Sequence, residues 1–267
     1  MYAFEYHRPD SLRKAVNLLA KVEDAKILAG GHTLLPTMKQ RLAAPSALID
    51  LNQVPELVGI ELRGRSLVIG AMTRHADVET SAVVQQAIPA LAELAHMIGD
   101  PHVRQRGTIG GSVANNDPAA DYPAACVGLG ATIVTNQRKI PAEEFFTGLF
   151  ETALEEGEIV TKIVFPIVAR AAYSKFRNPA SRYALAGVFV AKRSSDIRVA
   201  VTGAGESGVF RLTEFEEALK KRFSPKSLEG LKASPDSLIG DIHADQAYRA
   251  QLVAVMARRA VAKAAGR

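Results

Sequence analysis

Thr108-Ile109-Gly110-Gly111-Ser112-Val113-Ala114-Asn115-Asn116-Asp117-Pro118-Ala119-Ala120-Asp121 is the stretch on which the reading of this chain turns. Two adjacent glycines follow a β-branched pair, small and amide side chains come next, and two aspartates flank Pro118. The pattern predicts a loop with exposed backbone N–H groups and little side-chain bulk. Glycine accepts unusual backbone angles and has no Cβ to collide with a polyanionic ligand. An earlier stretch, Ile27-Leu28-Ala29-Gly30-Gly31-His32-Thr33-Leu34-Leu35, has the same form: a short apolar strand, a double glycine, then small or polar residues. Two such loops can grip one nucleotide between them. A chain with 20 glycines also holds such pairs by chance, and glycine pairs commonly just make turns. On the residues alone, phosphate-binding loops and structural turns therefore stand as equal readings.

The 267 residues suffice for two domains, or for one large domain with an appendage. With 48% hydrophobic and 23% charged residues the composition is that of an ordinary soluble globular protein. No apolar run reaches the roughly 18 residues of a membrane span. The start, Met-Tyr-Ala-Phe-Glu-Tyr-His-Arg-Pro, lacks the basic region and apolar core of a signal peptide, so the expected compartment is the cytoplasm. Cys126, the only cysteine, sits in an apolar setting and is expected as a packed core thiol. Alone it can hold neither an iron-sulfur cluster nor a Cys-rich zinc site, so a metal redox centre would belong to another chain. The 33 basic and 28 acidic residues are interspersed, with Lys220-Lys221-Arg222 the one basic triplet, which argues against nucleic acid despite the net charge of +5.

Ser11 reads as the N-cap of an amphipathic helix reaching Lys21, with Leu12, Ala15, Val16 and Leu19 on one face. Strands at Ala25–Ala29 and Ala47–Leu51, with a helix over Leu34–Leu42, make the opening a small α/β unit. A hairpin follows, with strands at Leu57–Ile60 and Ser66–Gly70, then helices at His75–Thr80 and Ile88–Ile98. Beyond the glycine loop, Tyr122–Leu129 reads as a buried helix, and Ala131–Thr135 and Ile159–Phe165 as strands. After Pro166 come three strands, Tyr173–Arg177, Leu185–Lys192 and Ile197–Thr202, then helices at Thr213–Lys221, Ser224–Leu231 and Asp245–Ala265. A domain boundary is placed near Ala169, where a strand meander begins.

Gly203-Ala204-Gly205-Glu206-Ser207-Gly208 has the spacing of a dinucleotide fingerprint, but Val209-Phe210-Arg211-Leu212 reads as a strand where a helix should open. The segment is read as a hairpin turn. The histidines, at positions 7, 32, 75, 96, 102 and 243, show no metal-ligand spacing, and only His32 lies inside a glycine loop. Asp117 and Asp121 fit paired acid-base carboxylates, turn residues around Pro118, or acceptors for ligand hydroxyls. No arrangement of a serine-histidine-aspartate or cysteine-histidine hydrolase is present.

Ala29-Gly30-Gly31-His32-Thr33 with Leu34-Leu35-Pro36, and Thr108-Ile109-Gly110-Gly111 continuing through Asp117-Pro118-Ala119-Ala120-Asp121, resemble the two flavin loops of one family. It is that of the FAD-binding medium subunits of aerobic carbon monoxide dehydrogenases, which shares its flavin module with xanthine dehydrogenases. The resemblance extends through Ile69-Gly70-Ala71-Met72-Thr73 and Gly157-Glu158-Ile159-Val160 to the terminal meander. Two motifs in the right order are far more specific than one glycine pair.

The resemblance implies an α+β fold of the vanillyl-alcohol-oxidase (PCMH) type. Residues 1–169 would bind FAD between an N-terminal lobe (1–53) and a middle lobe (54–169), and residues 170–267 would form a C-terminal α+β lobe with a three-stranded antiparallel sheet. Residues Ile27, Leu28, Ala29, Gly30, Gly31, His32, Thr33 and Leu34 would wrap the pyrophosphate with backbone N–H groups. Thr108, Gly110, Gly111, Asn115, Asp117 and Asp121 would hold the cofactor from the other side. Val160 would pack on the isoalloxazine, Arg177 would approach it, and Tyr183 would cover one ring face. Before Tyr183 the chain has Ser181-Arg182 where many relatives have Gly-Asp.

No catalytic side chain and no metal ligand is implied, because the flavin carries the chemistry. The implied role is electron transfer within a molybdenum hydroxylase complex. A large subunit would hold the molybdenum cofactor, a small one the 2Fe-2S clusters, and the assembly would be a dimer of heterotrimers. The alternatives are a stand-alone FAD-dependent oxidoreductase with its own substrate, and a non-catalytic nucleotide-binding module. The roughly hundred residues after Ala169 are too few and too plain for a dedicated substrate domain.

Overall fold

The computed structural model describes residues 1–266, so that only the last position of the C-terminal region, Arg267, lies outside the described residues. The chain builds three main sheets in succession. The first is parallel and three-stranded, with Ala47–Asp50 between Glu5–His7 and Lys26–Leu28. All four residues of the central strand are buried, which is why Ala47-Leu48-Ile49 reads as a continuous apolar run rather than an alternating one; the buried Asp50 that ends it accepts from the Asn52 N–H at 2.8 Å. Helix Leu12–Lys21 makes the crossover that parallel pairing requires. The Ser11 hydroxyl caps it by accepting from the Lys14 N–H, and Ala15 and its neighbours on that face pack against Ile49. Strand Glu5–His7 carries no sequence signal, having two of its three residues exposed.

The second sheet is antiparallel and five-stranded, in the order Ile60–Arg63, Ser66–Gly70, Val160–Pro166, Thr132–Thr135, Lys139–Pro141. Its middle strand comes from far along the chain, so the hairpin is completed only by a long-range pairing. Helices Pro89–His96 and Tyr122–Leu129 contribute to the core against it. The second of these is buried at every residue, which explains an apolar run without helical periodicity. Cys126 lies inside it, and burial pushes its thiol well up from the ordinary value, so it is an inert core group.

One expectation fails here. The segment after Thr108, read as an open loop, is a helix over Ile109–Asn115. Glycine costs about 1 kcal/mol relative to alanine in a helix interior, and packing explains why it is tolerated. A Cβ on Gly110 would lie 2.4 Å from the Ala71 Cβ, and the Gly110 N–H donates to the Ala71 carbonyl at 2.8 Å. The glycine thus lets this helix lie flush on the chain leaving strand Ser66–Gly70. Helices Ala82–Ala87 and Pro101–Arg106 also lay outside the sequence reading.

The third sheet has the three expected long antiparallel strands, now bounded as Arg170–Arg177, Ala184–Arg193 and Asp196–Thr202, plus a two-residue edge strand, Phe210–Arg211. The Gly203–Gly208 segment is the turn before that edge strand, as the hairpin reading required; the next helix begins at Thr213. One face of this sheet joins the middle core through Tyr173 and Phe189. Helix Gln246–Ala264 covers the other. Its buried Arg249 donates from Nη1 to the Leu185 and Gly203 carbonyls, each at 2.6 Å, and from Nη2 to Asp241 at 2.6 Å. Arg249→Leu strands those three acceptors. It is expected to lower the stability of the chain by about 3 kcal/mol, read as a lower urea midpoint with an unchanged slope.

Candidate functional site

A cleft of about 760 Å³ opens where the three sheets meet, within the size range of small-ligand and cofactor sites. The N-terminal side supplies Ile27 and Ala29 to Leu34. The facing side supplies Thr108, Gly110, Gly111, Asn115, Asp117 and Asp121, Val160 comes from the middle sheet, and Tyr183 from the C-terminal sheet. Two of the sequence-derived positions lie outside the wall. Leu28 ends strand Lys26–Leu28 and packs beside Gly31, and Arg177 ends strand Arg170–Arg177 exposed to solvent.

The two glycine segments offer different chemistry. Among the described residues, nothing accepts a hydrogen bond from the backbone amides of Gly30, Gly31, His32, Thr33 or Leu34; the Leu35 N–H returns to the Gly31 carbonyl at 3.1 Å. Five consecutive unpaired donors on a cleft wall form a concave anion-binding surface. Gly31 has φ 75°, the left-handed region that favours glycine. Gly30 has a steric reason: a Cβ there would stand 2.4 Å from the Arg106 carbonyl oxygen. The loop therefore rests directly against Arg106-Gly107, immediately before Thr108.

The leading amides of the second segment are already paired. The Ile109 N–H donates to Thr73 O at 3.0 Å, Gly110 to Ala71 O, and Gly111 to Thr108 Oγ1 at 3.2 Å. What it presents to the cleft is side chains: the Thr108 hydroxyl, whose proton is free to donate, Asn115, and the Asp117 carboxylate. Asp117 accepts from the Ala119 N–H at 2.8 Å, and burial raises its pKa. Asp121 differs, because its oxygens already accept from Tyr173 Oη at 2.5 Å and Lys175 Nζ at 2.8 Å. Burial pushes its carboxyl upward, with Lys175 and Tyr173 working against that. The structure thus makes Asp121 an anchor for its neighbours.

Several cleft residues had no sequence signal. Lys175, with a side chain only 1% exposed, lines the wall beside Asp121. His75 is buried behind Gly107, and burial, with His32 and Arg104 nearby, drives its pKa to about 3, so the ring is neutral at physiological pH. Asn116, at φ 43°, donates from Nδ2 to the Gly148 and Glu151 carbonyls at 2.8 and 2.7 Å. It thereby fixes the hairpin whose tip, Phe150, sits at φ 56° on the cleft rim. These contacts join positions far apart in sequence, so periodicity does not reveal them. Among the described residues no group of three or more histidine, cysteine or acidic side chains is placed to hold a metal.

Unpaired amides, glycines in close approach and apolar walls together fit a dinucleotide, and the family relationship agrees. Residues 2–168 match the family described as the FAD binding domain in molybdopterin dehydrogenase, and the chain belongs to that family. It is 40% identical to the carbon monoxide dehydrogenase medium chain of Hydrogenophaga pseudoflava, over 97% of this chain and 96% of that one. It is 36% identical to the nicotine 6-hydroxylase medium subunit of Paenarthrobacter nicotinovorans, over 99% and 98% of the two chains. Among solved structures, the reconstituted CO dehydrogenase from Oligotropha carboxidovorans superimposes with a TM-score of 0.90 at 33% identity, covering 100% of this chain and 99% of that chain. The fold is accordingly the α+β, PCMH-type flavin fold, and the chain is an FAD-binding oxidoreductase subunit.

Near the cleft wall, Glu158 accepts from Arg138 Nε at 2.9 Å and Nη2 at 3.0 Å, from Thr135 Oγ1 at 2.9 Å and from the Glu155 N–H at 2.8 Å. The Arg138 hydrogen bonds, above all, hold its carboxyl down from the ordinary 4.5 to about 2. A depressed folded-state pKa stabilises the fold fully above the unfolded value and is lost as pH falls toward the folded one. Acid unfolding of the wild-type chain should therefore include a loss of stability as pH falls from about 4.5 to about 2. Glu158→Gln should be less stable at pH 7 and show a flatter profile through that window, measured by urea midpoints at each pH.

Proposed function

We propose that this chain is the FAD-carrying electron-transfer subunit of a molybdenum-containing hydroxylase. It would take electrons from 2Fe-2S clusters on a small partner subunit and pass them to an external acceptor. The observation that carries this reading is the row of unpaired amides from Gly30 to Leu34, facing the Thr108–Asp121 segment across one cleft in a chain of the FAD-binding family. The relatives named as medium chains or medium subunits support partners, a large subunit with the molybdenum cofactor and a small one with the clusters, assembled as a dimer of heterotrimers. Among the described residues no helix is long and apolar enough to cross a membrane; we place the complex in the cytoplasm.

In this proposal residues 1–169 bind the cofactor and residues 170–267 form a C-terminal lobe that closes one end of the cleft. The amides of Gly30 to Leu34 neutralise the pyrophosphate without a lysine, with Ile27, Leu28 and Ala29 forming the apolar approach. Thr108 donates its free hydroxyl proton, Gly110 and Gly111 admit the chain of the cofactor closely, and Asn115 and Asp117 bond its hydroxyls. Asp121 acts there by fixing its neighbours. Val160 and the half-exposed Tyr183 flank the ring system and exclude water, and Arg177 contributes positive charge from outside the wall. Bound FAD supplies the redox chemistry, and no side chain is required as a nucleophile. The substrate would be selected on the large subunit.

The test is the visible absorption spectrum of the purified chain after adding FAD and removing the excess, followed by anaerobic reduction with dithionite. Retained flavin bands that bleach on reduction, with partner chains copurifying from the native source, are the expected result. A bound flavin that turns over a substrate without partners would favour a stand-alone oxidoreductase. A chain that binds no flavin, alone or with its copurified partners, would sink the proposal.

A further inference from the structure

Between the first two long strands of the C-terminal sheet the chain makes a tight turn that ends on the cleft. Buried Asn178 organises it. Its side-chain oxygen accepts from the Ala180 and Ser181 N–H groups at 2.9 and 3.2 Å, and its carbonyl accepts from the Arg182 N–H at 2.9 Å. Its own N–H donates to the Tyr183 carbonyl at 2.8 Å, and the Tyr183 N–H donates to Ser181 Oγ at 3.3 Å. Ser181, Arg182 and Tyr183 all border the cleft. A turn bonded this closely presents its side chains in fixed directions.

Arg182 is the residue of this turn that neither the fold nor the binding scheme above uses. Its φ is 64°, in the left-handed region, which strains a residue with a Cβ and which glycine fills without cost. It is exposed, and among the described residues its guanidinium makes no hydrogen bond and no ion pair. Asp100, near enough to feel its charge, is already engaged: the Val103 and His102 N–H groups hold that carboxyl down, with His102 and Arg182 adding to the effect. Arg177, exposed at the other end of the turn, brings a second positive charge. Asp117 and Asp121 also act on Tyr183, but both are withdrawn from solvent, and Asp121 is paired with Lys175. The solvent side of the Tyr183 ring, itself 48% exposed, is therefore positive. An unpaired guanidinium on a rigid turn beside an exposed aromatic ring suits a planar ligand that carries negative charge.

We propose that Arg182, with Arg177 across the turn, recruits an anionic aromatic electron acceptor to the mouth of the cleft beside Tyr183. The assignment rests on the FAD reading of the cleft and adds to it the class of acceptor, an anionic quinonoid compound. In the transfer the reduced flavin anion gives up two electrons and one proton. The acceptor takes these with a second proton from water, leaving oxidised flavin and the hydroquinone form of the acceptor. The arginines take no part in the electron transfer. They raise the local concentration of the acceptor at the mouth through a charge that salt screens. Arg182 thus determines specificity without being catalytic.

For the test, the full chain is loaded with FAD, reduced anaerobically with stoichiometric dithionite and mixed in stopped flow with one of two acceptors. Dichlorophenolindophenol is a quinone-imine that is an anion at neutral pH, and duroquinone is uncharged. Arg182→Gly removes the charge and suits the left-handed φ, so it introduces no new strain. It should slow flavin reoxidation by dichlorophenolindophenol about fivefold at low ionic strength, with the deficit lost in high salt, and leave reoxidation by duroquinone unchanged. Arg182→Lys keeps the charge and should keep the wild-type rates. Naphthalenesulfonate, which accepts no electrons, is titrated by calorimetry into the oxidised chains, and its Kd should rise by a similar factor in Arg182→Gly but not in Arg182→Lys. Equal slowing of both acceptors would assign Arg182 to the shape of the turn alone. That result, unchanged rates with both acceptors, or an unchanged Kd for naphthalenesulfonate would each overturn the proposal while leaving the FAD reading intact. A wild-type chain that holds no FAD would overturn that reading, and this role with it.

Discussion

Gly30 meets the Arg106 carbonyl so closely that the lobes can share a cleft only if that position has no side chain. Everything at the site depends on this contact. It sets the N-terminal loop against the residue pair that leads into Thr108, and it leaves the Gly30–Leu34 amides facing open space instead of their own chain. Gly107 repeats the constraint one layer deeper, since a Cβ there would strike His75 Nε2 at 2.5 Å. Gly110 repeats it against Ala71. The glycines thus serve two ends: they give conformational freedom at Gly31, and at the other positions they let backbones touch.

The C-terminal sheet is fastened to this site through charge. Alternation along strand Arg170–Arg177 puts Tyr173 and Lys175 on one face, and both reach Asp121 just before helix Tyr122–Leu129. A buried ion pair adds little net stability after desolvation, but breaking it by removing one partner is expensive. The arrangement therefore specifies geometry more than it strengthens the fold. It keeps a lysine against the cleft wall in one orientation while the Tyr173 ring packs with Phe189 in the core beneath.

Much of the fold was legible because local signals agreed with global packing. Ser11 caps its helix, the buried runs Ala47–Ile49 and Tyr122–Leu129 are without charged residues, and the Gly203–Gly208 segment lacked the helix a dinucleotide fingerprint needs. The failures have a common cause. Helix Ile109–Asn115 was hidden because its glycines argue against helix locally, and the reason for them, Ala71, lies far away in sequence. Strand Glu5–His7 exists only through its parallel pairing with Ala47–Ile49. At the site, the glycine loops were readable as motifs, whereas Lys175, His75 and the Asn116–Phe150 hairpin are defined by partners that no spacing rule connects.

The distribution of charge in the cleft follows from these placements. At the N-terminal loop the positive potential comes from peptide dipoles, which stay fixed and need no counter-ion. His75, neutral because it is buried, adds no charge behind Gly107. The Lys175 ammonium, buried and held by Asp121 and the Met97 carbonyl, lies at the other side. A diphosphate keeps its charge through any redox cycle, so dipoles that do not reorganise suffice for it. Along the one cleft, fixed dipoles thus stand at the N-terminal loop and the ammonium at the C-terminal sheet, so the positive charge of its walls comes from two separate parts of the chain.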